Sequence, residues 1–81
     1  MSVTVLLFAT YADLAGRESV DLSLSAPATV GDLLRQLRVV LPGARGIPER
    51  PLVAVNQVHA RLDSPVQDGD EVALLPPMAG G

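Results

Sequence analysis

The chain has 81 residues, a formal net charge of −3, and 48% hydrophobic but only 2% aromatic residues. That describes one small domain, near the lower size at which a hydrophobic core suffices without staples. The absence of Cys excludes a disulfide framework, a thiolate nucleophile and a cysteine metal site. The acidic balance and the scarcity of aromatic rings argue against a nucleic-acid surface. All six cations are arginine (Arg17, Arg35, Arg38, Arg45, Arg50 and Arg61), so no lysine amine can form a Schiff base or accept an isopeptide bond. Met1-Ser2-Val3-Thr4 lacks the basic start and long apolar run of a signal peptide, and no apolar stretch approaches the length of a membrane span. A cytoplasmic protein without a membrane partner is expected.

Val3 to Ala9 alternates as a strand, with Val3, Val5 and Leu7 on one face and Thr4, Leu6 and Phe8 on the other. Thr10 and Asp13 have the T-x-x-D spacing of a helix start, and Gly16 is placed as a stop, which predicts about one turn of helix over 10–15. Ser19 to Leu24 alternates again, with Val20, Leu22 and Leu24 inward, as a half-buried strand antiparallel to the first. Thr29 then caps the strongest element, with Asp32 at its third position. Val30, Leu33, Leu34, Leu37 and Leu41 form one apolar helical stripe that must lie across a sheet, and Pro42-Gly43 stops it.

Residues 43 to 51 read as a loop, with two prolines and two glycines. Leu52 to Asn56 is a third strand, Val58 to Leu62 is a candidate short fourth one, and Glu71 to Leu75 is the last. Ser64-Pro65 and Asp68-Gly69 are turn signals. The order predicts an α+β fold: a mixed sheet of four to five strands with one main helix packed across one face. Leu6, Phe8, Ala73 and Leu75 point away from that helix and would form an apolar patch. After Leu75 comes Pro76-Pro77-Met78-Ala79-Gly80-Gly81. Proline cannot donate to a sheet, and glycine reaches backbone angles closed to other residues. Residues 1–75 are therefore expected to fold as the domain and 76–81 to leave it as a flexible, thin arm ending in a carboxylate. Taken by itself, the arm competes with a plain frayed terminus.

Val-Leu-Leu-Phe-Ala (5–9), Leu-Ala-Gly (14–16), Ala-Val-Asn-Gln (54–57), Asp-Gly-Asp-Glu-Val-Ala (68–73) and the Pro-Pro-x-x-Gly-Gly end together resemble the MoaD-type sulfur carriers, small subunits of molybdopterin synthase with the ubiquitin-like β-grasp fold. The resemblance covers the whole chain, and Asp-Gly-Asp-Glu-Val also occurs in other β-grasp carriers. It implies that an E1-like, MoeB-type enzyme uses ATP to adenylate the carboxylate of Gly81, and that a sulfurtransferase supplies sulfur to leave a thiocarboxylate. It further implies docking on a large, MoaE-type subunit in a heterotetramer, where the sulfur passes to cyclic pyranopterin monophosphate. The carrier itself binds no cofactor and is no enzyme alone. Gly81 carries the sulfur, Gly80 allows passage, and Pro76, Pro77, Met78 and Ala79 span the distance, with Phe8, Leu75 and the rim residue His59 meeting the partner.

The remaining candidates are weaker. His59 is the only histidine and cannot form a metal site or triad unaided; a surface or sheet-edge position accounts for it. Asp68, Asp70 and Glu71 suggest a cation site by charge alone, but turn chemistry explains Asp68-Gly69 without a metal, and the three carboxylates carry at most a steering role toward basic partner residues. Gly43 and Gly46 lack the Gly-Lys-Ser/Thr end of a P-loop, and Tyr11 reads as a packing residue. Carriers for thiamine, cysteine or thiolated-tRNA synthesis, and a ubiquitin-like modifier joined through Gly81 to other proteins, share the fold and the diglycine end. A plain interaction module with an incidental Gly-Gly is the last alternative.

Overall fold

A computed structural model describes residues 1–77. Five strands form the main sheet: β1 (Ser2–Leu7), β2 (Ser19–Ser23), β4 (Leu52–Val55), β5 (Val58–Ala60) and β7 (Glu71–Leu75), in the spatial order β2-β1-β7-β4-β5. The central pair, β1 and β7, is parallel, and its neighbours are antiparallel, so the sheet is mixed. Helix α2 (Val30–Val40) crosses one face. Val3, Val5, Leu7, Val20, Leu22, Val53, Val72 and Leu74 meet Val30, Leu33, Leu34 and Leu37 in one core. This is the expected α+β arrangement of a single main helix across a mixed sheet, and at five strands it reaches the upper end of the expected number.

Helix α2 begins as its sequence dictates. The Thr29 hydroxyl accepts from the Asp32 backbone N–H at 3.2 Å, and the Asp32 carboxylate accepts from the Thr29 N–H at 2.9 Å. This reciprocal box satisfies two of the donors left open at a helix start. Several boundaries differ from expectation. The first strand stops at Leu7 rather than Ala9, because Leu7 donates to Glu18 at 2.8 Å and the chain then turns. Helix α1 (Ala9–Ala15) starts one residue before the expected span, with Phe8 at its N-cap and no side-chain cap at all. Thr10 is exposed and does not cap; burial of Tyr11 sets the helix instead. Gly16 does end it, with φ +77.

The stretch 43 to 51 is not plain loop. Pro42–Gly46 forms a 3-10 turn that buries Ala44, with Ile47 buried just after it. A Cβ on Gly43 would fall on the carbonyl oxygen of Leu14, so glycine is what lets this turn approach α1. β5 ends at Ala60 rather than Leu62, since the Arg61 N–H turns to the Ser64 hydroxyl at 2.9 Å. Two-residue strands β3 (Ala28–Thr29) and β6 (Pro65–Val66) pair as a small second sheet beside the start of α2. They are too short to show any alternation.

Candidate functional site

The face of the sheet turned away from α2 is built by period-2 alternation and cross-strand register. Leu6 pairs with Ala73, Ala73 with Ala54, and Ala54 with His59, which gives a row across β1, β7, β4 and β5. One step toward the end of β7, Leu75 pairs with Leu52. Phe8 lies one position beyond the last β1–β7 pair, Leu7 and Leu74. The two small alanines therefore floor a patch whose high points are Leu6, Phe8, Leu75 and Leu52. Phe8 and Leu52 are 44% and 47% exposed, while Leu6, Ala73 and Leu75 are half-buried.

These residues lie on the expected apolar face, next to the point where the chain leaves the sheet. Pro76, half-buried, and Pro77, exposed, follow Leu75 without regular structure. Met78, Ala79, Gly80 and Gly81 lie outside the described residues. Leu52 and Ala54 were not singled out from the sequence. Their signal was alternation opposite to Val53 and Val55, but only the register reveals that they adjoin Leu75 and Ala73. His59 is exposed on the edge strand at the end of the Leu6 row, a rim position. Phe8, Leu75 and His59 thus share one face, and Pro76 and Pro77 continue from its margin.

The far end of the same face is polar and tightly wired. Thr4 donates through its hydroxyl to Asp21 at 2.9 Å. Asn56 donates to Asp70 at 2.9 Å and accepts from the Glu71 N–H at 2.9 Å, which ties the β4–β5 turn to the start of β7. Asp70 also accepts from the Gln67 N–H at 2.8 Å, and Asp68 accepts from the Ser2 N–H at 2.7 Å. Gly69 takes φ +85 between them. The Asp68 and Asp70 carboxylates are thus occupied by backbone donors. Among the described residues no group of three or more His, Cys, Asp or Glu gathers as a metal site, and no helix is long and apolar enough to cross a membrane. The Thr29 backbone N–H, then its hydroxyl, hold the Asp32 carboxyl below its usual value against partial desolvation, with Arg35 adding to the lowering.

Chemically, the described surface offers no nucleophile paired with a base and no enclosed pocket of convergent polar groups. It offers an apolar outer face with a chain segment leaving its edge.

The chain is 34% identical over 83 residues to the molybdopterin synthase sulfur carrier subunit of Chlamydomonas reinhardtii, covering all of both chains. It is 30% identical over 92 residues to small archaeal modifier protein 3 of Haloferax volcanii, again over the whole of both. Among solved structures, SAMP1 of Haloferax volcanii superposes with a TM-score of 0.90 at 32% identity and full coverage of both chains. In a complex of subunits 1 and 2 of the molybdopterin-converting factor of Helicobacter pylori, one chain superposes with a TM-score of 0.71 at 26% identity, with both chains fully covered. The ThiS family model matches residues 5–81, and the chain therefore belongs to the ThiS family.

Proposed function

We propose that this protein is the sulfur-carrier subunit of a molybdopterin synthase, working through the carboxyl group of Gly81. The observation that carries the reading is the apolar outer face, Leu6, Phe8, Leu52 and Leu75, from whose margin the Pro-Pro-x-x-Gly-Gly segment departs. A face of that kind suits a body that is gripped by other proteins while its end is worked on elsewhere. Full-length likeness to a molybdopterin synthase sulfur carrier subunit, and to a subunit solved in complex with its partner, supports the same reading.

The chemistry needs no acid or base from this chain. A Gly81 carboxylate oxygen attacks the α-phosphorus of ATP in an E1-like partner, and pyrophosphate leaves. The terminal sulfur of a sulfurtransferase persulfide then attacks the acyl carbon and AMP leaves; a further thiol of the partner proteins cleaves the resulting acyl disulfide, taking the other sulfur into a new disulfide, and a thiocarboxylate remains. In the large subunit of the synthase that sulfur is transferred to cyclic pyranopterin monophosphate. Gly80 lets the chain pass a narrow channel, and Pro76 and Pro77 stiffen the arm. ATP belongs to the activating partner, and the site of action is the cytoplasm.

Intact-mass measurement of the protein from its native host tests this. The expected product carries one sulfur in place of one oxygen at Gly81, and a C-terminus that is never thiocarboxylated overturns the reading. Likeness to the archaeal modifier proteins favours a second reading: a carrier or protein modifier serving another pathway. Recovery of Gly81 linked to lysines of other proteins, without conversion of the pterin precursor when the large subunit is added, would select it.

A further inference from the structure

The main sheet ends in β2 on one side and in β5, only three residues long, on the other. The register fixes which backbone groups of β2 are spent on β1. Glu18 accepts from the Leu7 N–H at 2.8 Å, and Leu24 donates to the Met1 carbonyl at 2.9 Å. By the alternation of an antiparallel ladder, Val20 and Leu22 pair in the same way with Val5 and Val3. Ser19, Asp21 and Ser23 therefore turn their N–H and C=O groups away from the sheet. Arg17 donates to the Ser19 carbonyl at 2.9 Å, and among the described residues the Asp21 and Ser23 backbone groups have no partner. Beside the Ser23 end a groove runs between β2 and α2, lined in part by Leu24, Pro27, Ala28, Gln36 and Val39. Val39 is 72% exposed, a large apolar side chain that the core leaves unused.

We propose that the β2 edge accepts an extended segment of a partner protein as an added strand, one in which lysine or arginine alternates with apolar residues. An open edge supplies affinity through main-chain hydrogen bonds, and side chains at alternate positions supply selectivity. The chemistry of the added strand follows from the two faces it continues. On the outer face Asp21 pairs with Thr4 and Thr4 with Glu71, a row with a carboxylate at each end. A residue opposite Asp21 extends that row, and a cation is favoured there. On the other face the strand continues Val20, Leu22 and Leu24 toward the groove at Val39, which favours apolar side chains. A second copy of this chain lacks that match. Pairing β2 with β2 so that Ser19, Asp21 and Ser23 all bond sets Asp21 against Asp21, and like charges directly opposite are destabilising. Nothing on this edge depends on the chemistry assigned to Gly81.

The probe is a cyclic hairpin peptide whose free strand reads Val-Lys-Val-Lys-Val, with Val-Glu-Val-Glu-Val as its counterpart. In the free protein the Asp21 and Ser23 amides should exchange with deuterium faster than those of Val20 and Leu22, which β1 holds. Titration followed by ¹⁵N spectra should shift the Ser19, Asp21, Ser23 and Val39 amides. The lysine hairpin should bind about three- to tenfold more tightly than the glutamate one. Ser23→Pro removes an outward N–H at an edge position, where proline is tolerated, and should weaken binding at least about threefold. Asp21→Lys should reverse the preference between the hairpins, a readout that stands even where the proline variant fails to fold. No shift at these amides up to millimolar lysine hairpin overturns the proposal. So do shifts confined to Leu6, Phe8 and Leu75, or a preference that Asp21→Lys leaves unchanged. Sedimentation showing that the free chain dimerises, with the Asp21 and Ser23 amides protected in the dimer, would overturn it in favour of a second copy.

Discussion

Gln57 sits where the sequence looks least unusual and the backbone is most demanding. The β4–β5 connection is a two-residue turn in which Asn56 has φ 51 and Gln57 φ 70, closed by Val55 opposite Val58. Positive φ at both positions is the geometry that matches the twist of a hairpin, and Asn-Gly is its preferred sequence. Asn56 fits, since its side chain is tied to Asp70 and Glu71. Gln57 makes no such contact, so it carries the strain without return. Gln57→Gly should stabilise the fold by about 0.5–1 kcal/mol, read as a higher denaturation midpoint at unchanged m-value. Asp32 gives a pH-dependent counterpart. Its folded carboxyl lies below the usual value because Thr29 donates to the ionised form. The stabilisation is therefore full above the unfolded value of about 3.9 and is lost as pH falls through the folded one. Asp32→Asn should be less stable at neutral pH, and the gap to the native chain should close on acidification below about pH 4; a gap of constant size down to pH 2 would contradict the assignment.

At the scale of elements, the turn Pro42–Gly46 shows how a glycine can be structural where its motif suggests nothing. A Cβ on Gly43 would fall on the Leu14 carbonyl, and one on Gly46 would stand 3.1 Å from the Leu14 side-chain methyls. Gly43→Ala must push the turn off α1, and a cost of about 1–3 kcal/mol in thermal or denaturant unfolding is expected. Gly46→Ala should cost less, because a side chain yields more easily than a carbonyl. The legibility of each element follows the range of the forces that make it. Helix α2 was readable because its cap, Thr29 with Asp32, and its stripe from Val30 to Leu37 lie within the element itself. Helix α1 was misplaced at its start because burial of Tyr11 and the Phe8-Ala9 corner are tertiary facts, whereas the Thr10–Asp13 spacing is a local coincidence. The β3–β6 pair joins residues far apart in sequence and two residues long, so no periodicity announces it. The apolar outer face was half legible. Alternation gave Leu6, Phe8, Ala73 and Leu75, but their neighbours Leu52 and Ala54 depend on the pairing of β4 with β7.

In the whole molecule, the proposed function separates from stability along the chain. The buried core runs from Val3 to Leu74 and belongs to the sheet, the two helices and the turns between them. Beyond it Leu75 and Pro76 are half-buried and Pro77 is exposed. The proposed chemistry, by contrast, belongs to Gly81 alone. Two substitutions separate these roles. Leu74→Ala removes a fully buried side chain next to the end of β7. It should cost about 2–5 kcal/mol, lowering Tm by at least about 10 °C, yet whatever fraction remains folded should still be loaded with sulfur by the activating enzyme and ATP. Deletion of Gly81 should do the reverse: Tm within about 1 °C of the native chain, because the described core ends at Leu74, and no sulfur incorporation by intact mass. A deletion that lowers Tm by several degrees would mean that the end of the chain packs on the body and helps to hold it. A deletion that is still thiocarboxylated would place the reactive carboxyl elsewhere and remove the reason for the diglycine end.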